Sequence, residues 1–179
     1  MLSGSGADLT SYATSAYTKW LRLQTNFPAY QGYSLFGQDK LATVDDIAQG
    51  SLGNCWFMAS ASAIAEIPGR IEKLFGNVDQ FNNGAGFFDV QLYLLSVPIT
   101  IRIDDQVPSY NSYTQTLFAK VTNKGVWMNV LEKAFAKMYG NYSALVGGAP
   151  ERAVQAMIGT PGKQFSFSSM TTAQIYTEI

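Results

Sequence analysis

The residues able to do covalent chemistry lie together in one short stretch. It holds the only cysteine of the chain, Cys55, and a glutamine six residues earlier, Gln49. A thiolate attacks carbonyl carbon, and a glutamine amide can donate a hydrogen bond to the oxyanion that forms. Gly50 and Gly53 would let the loop fold back, so that the Gln49 amide and the Cys55 N–H point at one oxygen. These features predict thiol acyl transfer, although a lone cysteine at a helix start is more often structural.

The residues after Cys55 predict the element that carries it. Residues 55–67 contain no Gly or Pro and only one charge, Glu66, which favours a buried helix with Asn54 as its cap. Many of its side chains are small, as the close packing of a central helix requires. The positive end of the helix dipole would stabilise a thiolate at Cys55. The helix dipole cannot act as a base, and the 179-residue chain contains no histidine.

Composition excludes several classes of partner. Lys and Arg total 12 against 13 Asp and Glu, and no basic run indicates a nucleic-acid or anionic-membrane surface. No apolar stretch of 18 residues predicts a membrane span, and the first residues do not resemble a secretory signal. A single cysteine forms no internal disulfide and, without histidine, no usual zinc site. We therefore expect an intracellular, cytoplasmic protein.

The remaining pattern predicts an α+β fold with no βαβ units. Helical spacing predicts an amphipathic helix over 8–23, and 1–29 is interpreted as an N-terminal lead-in. Alternating apolar residues predict a hairpin that turns near Ser96 and Val97, ended by Asp104, Asp105 and Pro108, with a third strand over 116–121. Two further helices are predicted over 126–139 and 150–158. Asp104 and Asp105 are interpreted as a strand-end charge pair, not as an acid/base dyad.

The last residues, SSMTTAQIYTEI, predict the start of a helix capped by Thr171 or Thr172. No stop signal follows. We expect that the protein continues beyond this point or that a partner covers it.

Three motifs carry a resemblance to a known family. The stretch QGSLGNCWFMASASAIA is similar to the cysteine-bearing motif of the calpain family of papain-like thiol proteases. VWMNVLEKAFAKMYGNYSALVGG resembles a later signature of the same family, and ITIRIDDQVP resembles its strand that ends in two aspartates. The resemblance covers roughly residues 27–165. It implies that Cys55 is the nucleophile, that Gln49 is the oxyanion donor and that Trp56 packs in the active-site helix.

The family builds its active site from two subdomains, and this sequence matches the first. The resemblance therefore implies the first half of a papain-like fold over 30–165, with 166–179 as the start of an incomplete second subdomain. That second subdomain, from a continuation of the chain or from another chain, would supply a histidine base and an orienting asparagine. The implied substrate is a polypeptide.

Calcium is implied by the resemblance alone. Calcium-dependent calpains bind the ion in the first subdomain through two loops, and Asp46 matches one acidic ligand. Residues 123–126 read Asn-Lys-Gly-Val, without the glutamate expected there. Asp45 and Asp46 could equally be solvated loop acids. A second departure is Thr160, which follows Gly159 where the family tends to have paired glycines.

Two functions follow as hypotheses. One is the cysteine-bearing half of a calpain-like endopeptidase, inactive alone because histidine is absent. The other is a non-catalytic calpain-like module that serves as a binding or structural subunit.

Overall fold

Helices and two small antiparallel sheets form the described part of the chain, which confirms the predicted α+β class. The computed structural model describes residues 18–28, 31–76, 81, 86–110, 115–165 and 167–178. In chain order the elements are β1 (Thr18–Arg22), α1 (Leu23–Asn26), α2 (Cys55–Ala65), β2 (Phe87–Leu94), β3 (Val97–Asp104), β4 (Gln106–Tyr110), α3 (Trp127–Tyr139), α4 (Pro150–Ile158) and α5 (Thr172–Glu178).

The buried helix predicted from Cys55 onward is confirmed as α2. Phe57 and Ala61 are completely buried on it, and it packs against α4. The contact is close enough for the Ser60 hydroxyl to donate to the Pro150 carbonyl at 3.1 Å as well as to the Trp56 carbonyl at 2.9 Å. Small side chains permit this approach because they keep the two backbones near one another. The result is a rigid central helix whose first residue is Cys55.

The predicted hairpin is confirmed as β2 and β3. Phe88, Val90 and Leu92 are completely buried on one face of β2, as the alternation predicts. The turn lies at Leu95 and Ser96, where both residues have positive φ, 51° and 65°. Two consecutive positive φ angles are typical of a type I′ turn, whose backbone twist suits a hairpin.

The prediction of a helix over 8–23 is wrong for residues 18–22, which the structure describes as a strand. Residues 8–17 lie outside the described residues, and Thr18–Arg22 is the strand β1, paired antiparallel with β4. Leu21 is 2% exposed between the sheet and the core, and the Arg22 guanidinium contacts the Asp105 carboxylate at 2.7 Å. These partners are distant in sequence, and their pairing overrides the helical spacing. Residues 18–28 thus contribute to the same core as the rest.

The third strand predicted over 116–121 is also wrong. Instead, β4 provides the extra strand, and Pro108 lies inside β4 where it was expected to end a strand. The segment 115–120 is irregular, and it is hydrogen-bonded to β4 and to the loop that precedes Cys55. The Leu117 N–H donates to the Pro108 carbonyl at 2.8 Å, and the Lys120 N–H donates to the Ala48 carbonyl at 2.8 Å. We call residues 115–120 the bridging segment.

The other predicted helices are confirmed. Residues 127–139 form α3, which Gly140 ends with a positive φ, and Pro150–Ile158 is α4. The helix α5 begins after Thr171, as predicted. The Thr171 N–H donates to the Gln174 side chain at 2.8 Å, which is half of a capping box.

Asp104 and Asp105 are structural, which confirms their interpretation as strand-end charges. The ammonium of Lys133, 3% exposed, lies 2.5 Å from the Asp104 carboxylate, and Asp105 is held by Arg22. Burial of Lys133 lowers its pKa, and the Asp104 carboxylate opposes this. The two aspartates therefore attach the sheet corner to α3 and to β1.

Among the helices of the described part, none is both long and apolar enough to cross a membrane.

The hairpin turn generates a test of the fold. Leu95 is 85% exposed, so replacing it loses little burial, and Asn followed by Gly suits two positive φ angles. We expect Leu95→Asn with Ser96→Gly to raise the free energy of unfolding by about 1 kcal/mol, measured by urea denaturation. Leu94→Asn is the control, since its φ is not positive, and it should be neutral or destabilising. Equal effects of the two changes would contradict this account of the turn.

Candidate active site

Cys55 is the first residue of α2, and its side chain is exposed although most of that helix is buried. The carbonyl of Asn54 accepts hydrogen bonds from the Phe57 N–H at 2.9 Å and the Met58 N–H at 3.1 Å, which starts the helix. No described residue accepts a hydrogen bond from the Cys55 N–H. An exposed thiol and an unengaged N–H therefore stand together at the positive end of the helix.

Gln49 is exposed and begins the loop that leads to Cys55. Its amide donates to the Leu52 carbonyl at 2.6 Å, which uses one of its two N–H bonds. Gly50 has no room for a side chain, because a Cβ there would lie 1.8 Å from the Phe118 carbonyl oxygen. The backbone of the loop is therefore pressed onto the bridging segment at Gly50, and a common target for the Gln49 amide and the Cys55 N–H stays a prediction. The amide itself bonds within the loop.

Trp56 anchors the start of α2 on the opposite side, in agreement with a packing role. Its indole N–H donates to the Leu145 carbonyl at 2.9 Å. Gly148 lies flat against the indole, since a Cβ there would come within 2.4 Å of the ring. Gly53 is tied to the same region, because its carbonyl accepts the Gly147 N–H at 3.0 Å. The residues on both sides of Cys55 are thus fixed to the loop that precedes α4.

Glu132 is the residue near the site that the sequence reasoning missed. It is 2% exposed on α3, and its carboxylate accepts the Asn54 side-chain N–H at 2.8 Å and the Ala119 backbone N–H at 3.0 Å. Asn54 lies at the helix cap, as predicted, but its side chain reaches Glu132 instead of capping α2. A signal did exist, because Glu132 interrupts a run of α3 residues that the helical pattern places largely in the core.

Burial controls the ionisation of Glu132. Desolvation raises the pKa of its carboxyl from 4.5 to about 7, against the effect of the two N–H donors, which stabilise the carboxylate. Tyr142, also completely buried, has its pKa raised chiefly by burial and further by the charge of Glu132. Ionisation of Glu132 is therefore costly and tolerated only because two donors face it.

Asp46 is a structural acceptor and not a solvated loop acid. It is 1% exposed, and one carboxylate oxygen accepts the Thr43 N–H at 2.8 Å and the Trp127 indole N–H at 2.9 Å. The other oxygen is buried without a described partner. Asp45, beside it, is exposed, as a solvated acid would be.

The residues around Asp46 do not fit a calcium site. Calcium takes six to eight oxygen ligands, whereas Asp46 offers one carboxylate oxygen without a described partner, and residues 123–126 lack the glutamate that the resemblance implies there. No group of three or more His, Cys, Asp or Glu residues that could hold a metal occurs among the residues that the structure describes. Calcium binding by the protein stays a prediction from the resemblance.

Gly159 is a helix cap in this structure. It ends α4 with a φ of 75°, and a Cβ there would come within 2.7 Å of the Tyr93 ring. Glycine is therefore required at this position by the backbone and by Tyr93. The following Thr160 is exposed, so a side chain stands where the family tends to have a second glycine.

The raised pKa of Glu132 predicts a pH dependence of stability. Between pH 4.5 and about 7 the folded chain keeps a proton that the unfolded chain has lost, so the free energy of unfolding falls as pH rises through this window. The contribution of Glu132 is complete below pH 4.5, and about 3 kcal/mol is lost by pH 7 to 8. Glu132→Gln should flatten this slope in urea denaturation, whereas Glu66→Gln, at an exposed site, should not. Equal slopes for the wild type and Glu132→Gln would contradict the shift.

The geometry of Asp46 predicts a stability effect that does not depend on calcium. Asp46→Asn can keep both hydrogen bonds on its amide oxygen, but it removes the charge that strengthens them and buries an NH2 group where the second carboxylate oxygen has no described partner. It should therefore lower the free energy of unfolding by about 1–3 kcal/mol, with or without millimolar Ca²⁺. The control Asp45→Asn should be nearly neutral. If Ca²⁺ raised the melting temperature of the wild type and not that of Asp46→Asn, Asp46 would be a ligand after all.

Comparisons with known proteins agree with the motifs at this site. The family described as calpain family cysteine protease matches residues 6–179. Calpain-B of Drosophila melanogaster is 31% identical over 149 residues, which cover 80% of this chain and 15% of that protein. Calpain-12 of Homo sapiens is 32% identical over 119 residues, which cover 66% of this chain and 16% of that protein. The calpain-type cysteine protease DEK1 of Zea mays is 27% identical over 124 residues, which cover 69% of this chain and 6% of that protein.

The matched part of the chain thus spans a small fraction of these relatives. The match to the family nevertheless extends over nearly the whole chain and includes the cysteine loop, α2 and α3. The chain belongs to the calpain family of cysteine proteases.

Proposed function

We propose that the chain is the cysteine-bearing half of a calpain-type thiol endopeptidase, with Cys55 as nucleophile and Gln49 as oxyanion donor. The observation that carries the proposal is the exposed thiol on the first residue of a buried helix, next to an N–H that bonds no described residue. A structural cysteine of a packed helix would be buried among apolar side chains, and this one faces solvent.

The chemistry follows from these positions. A histidine from a second subdomain takes the proton of the Cys55 thiol, and the sulfur then attacks the carbonyl carbon of a peptide bond. The oxyanion accepts hydrogen bonds from the Cys55 N–H and from the Gln49 amide, whose side chain leaves Leu52 or uses its second N–H. The imidazolium protonates the departing amine as the C–N bond breaks. Water then hydrolyses the thioester and restores the thiol.

The second half of the site must come from outside this chain. With no histidine among the 179 residues, Cys55 lacks the base and the acid that peptide cleavage requires. We therefore propose that the chain is inactive alone and acts on polypeptides when a segment with histidine and asparagine faces it. The same missing histidine favours the second candidate, a calpain-like module that binds without cleaving.

Kinetics of the complete natural protein and of this chain separate the two candidates. We expect the chain alone to show no peptidase turnover, and the complete protein to cleave a peptide in a reaction that Cys55→Ala abolishes. Gln49→Glu, which has nearly the same shape but offers no N–H, should lower kcat by about 10²–10³-fold, as loss of one oxyanion donor does. Exposed Gln164→Glu is the matched control and should have little effect.

Two results would decide against the endopeptidase. Turnover by the complete protein that survives Cys55→Ala would remove Cys55 from the mechanism. Absence of turnover in the complete protein, together with stable peptide binding, would establish the binding module. A cytoplasmic location and calcium dependence stay predictions, and neither is needed for this assignment.

A further inference from the structure

We propose that Glu132 is the positioning residue of the cysteine site, because its one carboxylate sets the place of Cys55 relative to Gln49. This inference rests on the proposed function, since it assigns Glu132 a part in the same site. Glu132 touches neither of the two side chains. It acts through two hydrogen bonds that lead to them by separate routes.

The first route leads to the nucleophile. One Glu132 oxygen accepts the Asn54 side-chain N–H at 2.8 Å, and this bond is buried. Asn54 is completely buried and immediately precedes Cys55, and its carbonyl starts α2 by accepting the Phe57 and Met58 N–H groups. The bond therefore fixes the residue from which the helix begins. A shift of Asn54 would move the thiol and the Cys55 N–H together.

The second route leads to the oxyanion loop. The other Glu132 oxygen accepts the Ala119 N–H at 3.0 Å, and Ala119 belongs to the bridging segment. The neighbouring residues of that segment hold the Gln49 loop on both sides of Gln49. Lys120 donates to the Ala48 carbonyl at 2.8 Å, and the Ser51 N–H donates to the Leu117 carbonyl at 3.0 Å. The position of Gln49 is therefore set from the same carboxylate as that of Cys55.

A carboxylate at position 132 accepts from both partners at once. The Ala119 N–H can only donate, whereas the Asn54 amide carries a donor and an acceptor, and its N–H faces Glu132. The Ala119 carbonyl is already occupied, since it accepts hydrogen bonds from the Thr116 hydroxyl and the Asn129 side chain, each at 2.5 Å. Only its N–H faces Glu132. An amide at position 132 has one acceptor oxygen, which the Ala119 N–H would take. It keeps the bond to Asn54 only if the Asn54 amide turns to present its oxygen, which is buried without a described partner. Two acceptor oxygens at position 132 make that turn unnecessary.

The pairing can be reversed without losing either route. In the double variant Asn54→Asp with Glu132→Gln, the glutamine amide donates to the aspartate, and its oxygen accepts the Ala119 N–H. Asn54→Asp breaks the pattern, because it places two carboxylates together. Glu132→Gln keeps both bonds only if the Asn54 amide turns to present its oxygen. Recovery in the double variant is therefore a signature of this hydrogen-bond geometry and not of general stability.

The test uses the complete natural protein at a temperature where circular dichroism shows each variant to be folded. We measure kcat and KM on a peptide, and separately the rate at which iodoacetamide modifies Cys55, read by peptide mass mapping. We expect Asn54→Asp to lose about tenfold or more in kcat with little change in KM, because small displacements of reacting groups are costly. Glu132→Gln should lose less, because the Asn54 amide can turn to accept from it. The alkylation rate should change in the same variants, and the double variant should recover both to within about threefold.

Tyr142→Phe is the matched control. It removes a completely buried hydroxyl close to Glu132 that has no hydrogen bond among the described residues, so it should change neither rate. The inference is overturned if the single variants lose stability but keep both rates, or if the folded double variant does not recover. Should Glu132→Gln fail to fold, Asn54→Ala keeps the Ala119 bond and must still change the alkylation rate.

The two proposals fail in different ways. If the wild-type protein cleaves no peptide through Cys55, the proposed function is wrong, while the alkylation rates still report on the position of the thiol. If Cys55→Ala abolishes turnover but the single variants at 54 and 132 are fully active, the proposed function stands and the role of Glu132 is wrong.

Discussion

The buried carboxylate of Glu132 is the interaction on which the geometry around Cys55 depends. It joins α3, the start of α2 and the bridging segment through two hydrogen bonds, and the residue is 2% exposed. Loss of the carboxylate would leave two buried N–H donors without an acceptor, each at a cost of about 1–3 kcal/mol. Burying a charge costs free energy, and the charge is kept here where α3, the start of α2 and the bridging segment meet. The cysteine loop is therefore hydrogen-bonded to the core beneath it on both sides of Gln49.

Much of the fold could be predicted because its signals are local. The helix α2 follows from a long uncharged run, α3 from an amphipathic stripe, and the β2–β3 hairpin from alternation over adjacent segments. The wrong predictions concern segments whose secondary structure is determined by partners distant in the sequence. Residues 18–22 have helical spacing yet form a strand, since β4 offers edge pairing about 90 residues later in the sequence and Asp105 binds Arg22. The segment 116–121 has the composition of a strand, but it divides its hydrogen bonds between the Gln49 loop and β4 and becomes irregular.

The candidate site likewise has residues that the sequence predicts and residues that only the structure shows. Cys55 and Gln49 were predicted as site residues because a nucleophile, an amide and two glycines lie within seven residues, and in the structure Gly50 lies too close to the Phe118 carbonyl for any side chain. The roles of Asp46 and Glu132 as buried hydrogen-bond acceptors could not be predicted, because burial of a carboxylate is a property of the tertiary structure. The sequence showed only a charge within the apolar run of α3 and an acid in a loop. The indole N–H that holds Asp46 comes from a residue 81 positions away, and the Asn54 amide is 78 positions from Glu132. Sequence shows which groups can react, whereas the fold shows which groups hold them.

The most direct test of the central claim, that the Cys55 thiol attacks peptide carbonyls, is covalent labelling of the complete natural protein. A peptide that ends in a chloromethyl ketone is compared with chloroacetamide, which has the same kind of leaving group and no peptide, and the modified residue is identified by mass spectrometry. We expect the peptide reagent to label Cys55, much faster than chloroacetamide does, and to lose this advantage when the chain is tested alone. Labelling of Cys55 at the same rate by both reagents in the complete protein, or peptide-dependent labelling of another residue, would contradict the claim.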